Sequence, residues 1–254
     1  MSESYRQISP NLANQIQLIM TDVDGTLTSE GTSVSSVIYE AVSHIQEQDI
    51  IVGLVSGRTL PELESLATDL SISGPIIAEN GGVAKLRMNG ELMDLGYSRH
   101  PALEAFKKLR TLFPDAIKER DDNKDRMVDL VIRTHGIELE ELASHVEDVQ
   151  ILDSGYILHL MQKGISKGRT LMRLLGELGD GDLSTTEVMV FGDALTDISL
   201  FELFPYSVLI VNPRLPVKHV ELLQKYARYI SELPFDEGFA EVASHIINTR
   251  SRKI

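Results

Sequence analysis

The stretch Ile16-Gln17-Leu18-Ile19-Met20-Thr21-Asp22-Val23-Asp24-Gly25-Thr26-Leu27 sets an apolar run against two aspartates spaced two apart. In an extended strand, residues i and i+2 point to the same face, so both carboxylates are expected on one side. Gly25 lets the backbone turn sharply and pass close to whatever they hold. Two like charges so near each other are costly unless a cation or a proton sits between them. Asp-Gly-Thr after a strand is also ordinary turn chemistry, with the Asp side chain bonding its own backbone. Three further signals downstream, each at the end of a strand, favour a site.

Working outward, Val34, Val37, Ile38, Ala41, Val42 and Ile45 recur at helical steps, and a nearly all-apolar strand follows at 49–55. That strand ends in Ser56-Gly57-Arg58. A helix from about Pro61 leads to a short strand, Pro75 to Ala78, which ends in Glu79-Asn80-Gly81-Gly82. Strand and helix alternating through short connections predict an α/β fold with a doubly wound parallel sheet. The rhythm then changes. Ala84–Met88 and Glu91–Leu95 flank Asn89-Gly90, a hairpin signal. Beyond it come a helix at 101–113, a strand at 127–133, a helix at 137–145 and strands at 149–152 and 156–161. Residues 83–162 therefore read as an inserted α+β domain, and the charged Lys118–Arg126 stretch reads as a solvated loop. From Ser166 the first rhythm resumes. Leu171, Leu174, Leu175 and Leu178 mark a helix, and a strand at 187–191 ends in Gly192-Asp193. A helix at 196–204, a strand at 207–211, a helix at 216–226 and a closing helix around Phe239–Ile247 complete the chain. Residues 1–82 and 163–254 would form one core, split by the 83–162 insertion.

The chain has 254 residues, 43% of them hydrophobic, enough for a sizeable core. Its net charge of −14 argues against a nucleic-acid or anionic-membrane partner. Cysteine is absent, which excludes disulfides, thiolate zinc sites and a cysteine nucleophile. The first fifteen residues are polar with no apolar signal core, and no stretch approaches the roughly 18 apolar residues of a membrane span. A cytoplasmic protein, monomeric or homodimeric, is the expectation. The seven histidines show no HExxH or other close ligand spacing.

In open α/β sheets, ligands bind at the carboxyl ends of the strands. Asp22, Asp24, Ser56 and Asp193 all fall there, and Asp197, four residues after Asp193, can share one face of a helix start. Lys167 opens a helix and can bring a cation to the same rim. The ordered phrases DVDGTL, VSGR, KG and GDALTD resemble the haloacid dehalogenase superfamily of phosphohydrolases over nearly the whole chain. The insertion between Ser56 and Lys167 resembles that of members with a large α/β cap. Within that class, ENGG and the segment Asp153 to Gly168 are most similar to archaeal-type phosphoglycolate phosphatases, with sucrose-phosphate and mannosyl-phosphoglycerate phosphatases as near relatives.

The resemblance implies Mg²⁺-dependent hydrolysis of a small phosphorylated metabolite, 2-phosphoglycolate first, through an aspartyl-phosphate. Asp22 would attack phosphorus. Asp24 would act as general acid and then base, its pKa raised by the adjacent carboxylate. The metal would take Asp22, Asp193 and the Asp24 carbonyl. Ser56 and the Gly57 backbone would hold phosphoryl oxygens, with Asn212 as a further substrate contact. Lys167 would offset transition-state charge, and Asp197 would orient a metal-bound water. Thr196 stands where the family's last motif usually has Asn, and it cannot supply an amide. Two other readings stay open: a sugar-phosphate or phosphosugar-glycerate phosphatase, and a phospholigand-binding protein without turnover.

Arg58 reads equally as a partner for a surface carboxylate, Asn80 as a plain turn residue, and His159 as a buried structural histidine. Among the inserted domain's arginines, Arg87, Arg99, Arg120, Arg126 and Arg133 are candidates to meet a substrate carboxylate.

Overall fold

A computed structural model describes residues 2–29, 33–155, 157–177 and 183–250. Its strands are β1 (Glu3–Ser4), β2 (Leu18–Thr21), β3 (Ile51–Val55), β4 (Ile76–Ala78), β5 (Val83–Lys85), β6 (Ile117–Glu119), β7 (Leu130–Thr134), β8 (Val149–Asp153), β9 (Leu158–Gln162), β10 (Val188–Gly192), β11 (Tyr206–Val211) and β12 (Tyr229–Pro234). Its α-helices are α1 (Pro10–Gln15), α2 (Ser36–Gln46), α3 (Leu60–Asp69), α4 (His100–Leu112), α5 (Leu139–Ser144), α6 (Lys167–Leu175), α7 (Ile198–Leu203), α8 (Val217–Tyr226) and α9 (Phe235–Arg250). The eight-stranded sheet runs β1-β12-β11-β10-β2-β3-β4-β5 and a four-stranded sheet runs β6-β7-β9-β8. Every neighbouring pair in the large sheet is parallel except β4 with β5. The α/β fold with a parallel sheet and helices on both faces is as expected.

Side-chain alternation along the strands explains the layering. Ile19, Val52, Leu54 and Phe191 join one core cluster with residues of α2, α3 and α9. Leu18, Met20, Val55 and Val190 join the opposite cluster with residues of α6 and α7. A strand buried on both faces has to be apolar on both, which is why these segments read as continuous apolar runs. Helix starts are fixed locally. The Glu62 carboxylate accepts from Thr59 N at 2.9 Å at the head of α3, and Ser166 Oγ accepts from Arg169 N at 3.3 Å at the head of α6. The small sheet and α4 carry a third cluster containing Phe106, Leu109, Leu130 and Leu160.

The structure revises several sequence expectations. The proposed Ala84–Met88/Glu91–Leu95 hairpin reduces to an isolated Lys85–Leu92 bridge, because β5 pairs with β4 and closes the edge of the large sheet. An apolar-faced segment gains more from a neighbouring sheet edge than from a lone hairpin. The Lys118–Arg126 stretch is not a solvated loop throughout. Asn123 and Arg126 are buried, and Asn123 accepts from Val131 N and donates to Val131 O. The strand expected at 127–133 begins at Leu130, because the amides of residues 127–129 bond Glu79 instead of a neighbouring strand. β1, β6 and β12 have no counterpart among the expected strands. The helix expected at 196–204 splits into a 3-10 turn, Leu195–Asp197, followed by α7. Leu178 and Tyr156, assigned to a helix and a strand, lie outside the described residues. Among the described residues, no helix is long and apolar enough to cross a membrane.

Phe191 is fully buried on β10 and packs its ring against that of Phe239 of α9, tilted by 58° at a centroid distance of 5.0 Å. Phe191→Ala is expected to cost about 3–5 kcal/mol through lost contacts and the cavity left behind. Urea denaturation measures it, and a loss below about 1 kcal/mol would mean that α9 is not clamped to the sheet in this way.

Candidate active site

β2, β3 and β10 are adjacent or one strand apart in a parallel sheet, so their carboxyl ends open on one rim. β2 stops at Thr21, and Asp22 and Asp24 follow just beyond it, Asp22 N still donating to Phe191 O at 2.9 Å. Their side chains part company. Asp22 is buried and its Oδ1 accepts from Lys167 Nζ at 2.8 Å. The Asp24 carboxylate faces the Arg58 guanidinium, accepting from Nε at 2.9 Å and from Nη2 at 2.5 Å. The crowding of carboxylates expected around Asp24 belongs to Asp22 instead.

Lys167, the first residue of α6, is 2% exposed and also donates from Nζ to Asp197 Oδ1 at 2.7 Å. Asp197 turns its Oδ2 to the backbone amides of Asp193 and Ala194, at 3.0 and 2.9 Å. Asp193 accepts from Thr26 Oγ1 at 3.0 Å and from Asn212 Nδ2 at 2.6 Å. Asp22, Asp193 and Asp197 each place one carboxylate oxygen within 4.8 Å of the other two. Gly25 makes this closeness possible. Its φ is +87°, and a Cβ there would stand 2.2 Å from Asp193 Oδ2.

Three carboxylates and one ammonium leave a formal charge of −2 in a buried pocket. Burial pushes the Asp22 carboxyl well up, with Asp197 and Asp193 adding to it against the pull of Lys167. Burial and the neighbouring Asp197 push Asp193 up to about 7, while the Asn212 and Thr26 bonds draw it back. Burial alone would lower Lys167, but Asp197 and Asp22 hold its ammonium above the ordinary lysine range. A hard divalent cation with oxygen ligands fits this donor set. Asp22, Asp193 and Asp197 each bring a carboxylate oxygen to this cluster, and both oxygens of Asp193 and both of Asp197 also accept hydrogen bonds.

Ser56 is buried at the end of β3, and its Oγ accepts from Arg58 N at 3.3 Å. The neighbouring Gly57 carbonyl accepts from Arg126 Nη1 at 3.1 Å. Asn212 is brought to Asp193, so its amide reaches the carboxylate cluster rather than the Ser56 turn. Thr196 is half-buried beside the cluster.

The reading of single residues missed a hub. Asn80 N donates to Ser56 O and Glu79 N to Arg58 O, both at 3.0 Å. The Glu79 carboxylate accepts from Met127 N, Val128 N and Asp129 N at 2.8, 2.8 and 2.9 Å. Gly81 O accepts from Thr170 Oγ1 of α6 at 2.7 Å. Glu79 and Asn80 both adopt left-handed backbone, at φ 50° and 54°. The one legible signal for this was the Asn-Gly-Gly phrase. Arg126 was named among several arginines, but its partners Asp122 and Asp129 were not.

The profile of haloacid dehalogenase-like hydrolases matches residues 19–96 and 100–242, and the chain belongs to that family. It is 31% identical over 232 residues to a phosphoglycolate phosphatase of Methanoculleus marisnigri, covering 89% of this chain and 94% of that protein. A phosphoglycolate phosphatase of Methanothrix thermoacetophila is 30% identical over 91% of this chain and 97% of its own length. Among solved structures, a haloacid dehalogenase-like hydrolase from Bacteroides thetaiotaomicron is 25% identical with a TM-score of 0.74, covering 91% of this chain and 99% of its own. A Thermoplasma acidophilum protein shares the fold at a TM-score of 0.77 and 22% identity, over 91% of this chain and 98% of its own.

Asp193, ordinarily 3.8, and Glu79, ordinarily 4.5, both titrate near 7 in the metal-free fold, Glu79 through burial and the Asp129 charge. The folded state therefore holds more protons than the unfolded state between roughly pH 4 and 7, and stability falls as pH rises through that window. In EDTA the melting temperature is expected to drop on going from pH 5 to pH 8, by about 2–4 °C per kcal/mol lost. Mg²⁺ should shrink that drop. A melting temperature that rises with pH in EDTA would contradict this balance of buried charge.

Proposed function

We infer that the chain is a Mg²⁺-dependent phosphatase of small phosphorylated metabolites, with 2-phosphoglycolate as the favoured substrate, working through an aspartyl-phosphate on Asp22. The observation that carries this reading is the buried Lys167 ammonium between Asp22 and Asp197, with Asp193 in the same cluster. The full-length likeness to relatives named phosphoglycolate phosphatase supports the substrate. As part of the same reading, residues 1–82 and 163–254 serve as the catalytic core and 83–162 as a cap. β5 is lent to the edge of the core sheet.

Phosphoryl transfer needs positioning and charge neutralisation more than covalent help. Lys167 fixes the Asp22 carboxylate through Oδ1 and leaves Oδ2 to form the bond to phosphorus. As that bond forms, the ester P–O bond breaks and the leaving oxygen takes a proton from Asp24. Asp24 is the most exposed carboxylate of the set, its side chain 41% accessible, which suits a group that must swing from Arg58 to the substrate. It then takes a proton from the water that cleaves the acyl phosphate. The Ser56 hydroxyl and the adjoining backbone amides face the phosphoryl oxygens, and Lys167 offsets charge gathering on them. Asp22 and Asp193 would hold a Mg²⁺ ion, which would add positive charge to offset that of the phosphoryl group.

Phosphate release from a panel of small phosphate esters with Mg²⁺ tests the reading. Wild-type protein is expected to turn over 2-phosphoglycolate and p-nitrophenyl phosphate. Asp22→Asn should retain less than about one-thousandth of the rate, as expected when a nucleophile is removed. A wild-type protein that binds but never hydrolyses any ester would instead support the ligand-binding alternative.

A further inference from the structure

Two side chains from the 83–162 segment reach the turn that follows β3, and they differ in what they have left to offer. Arg126 donates to Gly57 O, but its guanidinium is paired with both Asp122 and Asp129. Its charge is already met. The other is His159 of β9, 2% exposed, whose Nδ1 lies 2.7 Å from Asp129 Oδ2. That bond fixes the ring, and its Cε1 stands 3.2 Å from where a Cβ on Gly57 would be. With Nδ1 on Asp129, Nε2 is the ring nitrogen left for a further partner.

Opposite the ring stands Asn80. It is 2% exposed, and its Nδ2 has no hydrogen-bond partner among the described residues. The same Gly57 Cβ position lies 2.9 Å from Asn80 Nδ2 and 3.2 Å from Oδ1. Only glycine fits between an amide and an imidazole at this spacing. A buried amide without a partner calls for an explanation in a native structure, and a ligand oxygen supplies one. The Asn80 amide and the His159 imidazole both adjoin the turn that carries Ser56, so they are placed to meet oxygen acceptors on the organic group of a small phosphate ester bound there.

We propose that His159, held by Asp129 over the Ser56–Gly57 turn and faced by the Asn80 amide, selects the substrate by contacting the organic group of a short phosphorylated carboxylic acid. The proposal rests on the phosphatase reading and deepens it. His159 acts in specificity, while Asp129 positions it.

The test is the ratio of kcat/KM for 2-phosphoglycolate to that for p-nitrophenyl phosphate, taken on one preparation so that any loss of folded protein cancels. His159→Ala is expected to lower this ratio about tenfold or more, mainly through KM for phosphoglycolate, in line with the loss of a polar substrate contact. His159→Gln, which keeps a hydrogen-bonding group there, should recover part of it, and Asp129→Asn should shift it in the same direction as His159→Ala. A ratio unchanged in His159→Ala, with both substrates affected alike, overturns the proposal and leaves a structural histidine. A wild-type preference for hexose phosphates over phosphoglycolate overturns the substrate class. A wild-type protein inert towards both p-nitrophenyl phosphate and 2-phosphoglycolate overturns the phosphatase reading, and this proposal with it.

Discussion

A buried ammonium flanked by carboxylates constrains the rest of this molecule. Lys167 sits between Asp22 and Asp197, and removing one member would leave uncompensated charge away from water. The three residues come from the end of β2, the head of α6 and the turn after β10. Bringing them to hydrogen-bond distance fixes the order of the central strands and the placement of α6 against them. Such an arrangement is a costly way to gain stability, since desolvation opposes it. It suits a protein that needs unbalanced negative charge at one point, ready for a cation.

The Glu79–Gly82 turn carries that constraint outward. Through backbone bonds it fixes the Ser56–Arg58 turn, through Thr170 it meets α6, and through the Glu79 carboxylate it holds the chain entering β7. The large and small sheets are therefore tied at the very turn that shapes the rim of the site. β8 adds a second tie, as Gln150 Nε2 donates to Ile165 O at 2.6 Å, two residues before Lys167. A shift of the small sheet would be felt at the Ser56 turn and at α6 together. Motion of the small sheet can reach the carboxylate cluster by this route.

Much of this was legible because it is local. Apolar runs ending in Asp-x-Asp-Gly, Ser-Gly-Arg and Gly-Asp mark strand ends by themselves, and helical periodicity places α2 and α6. What escaped depends on partners far along the chain. Arg126 sits in a charged stretch that looks solvated, yet it is buried because Gly57, 69 residues away, supplies a carbonyl. Glu79 stands in the sequence only as the residue that follows a short strand, and its three amide partners lie 48 to 50 positions on. β12, Tyr-Ile-Ser-Glu-Leu-Pro, mixes polar residues into its run because its outer neighbour is only the two-residue β1. Asp22 and Asp24 straddle the point where β2 gives way to a turn: β2 ends at Thr21, Asp22 N still donates to Phe191 O at 2.9 Å, and the chain turns after it.

That early turn divides the acids by burial, and burial divides what they can do. Asp22, Asp193 and Asp197 are nearly inaccessible and each is held by hydrogen bonds from more than one element or by the ammonium. Fixed groups of this kind stabilise charge without reorganising when it appears. Asp24 is different: its carboxylate is paired at both oxygens to the Arg58 guanidinium, and its side chain is 41% accessible. A group that faces solvent can meet partners that arrive from outside, which a group enclosed like Asp22 cannot. Two carboxylates two residues apart thus receive opposite surroundings, one enclosed on an ammonium and the other on a guanidinium at the open rim.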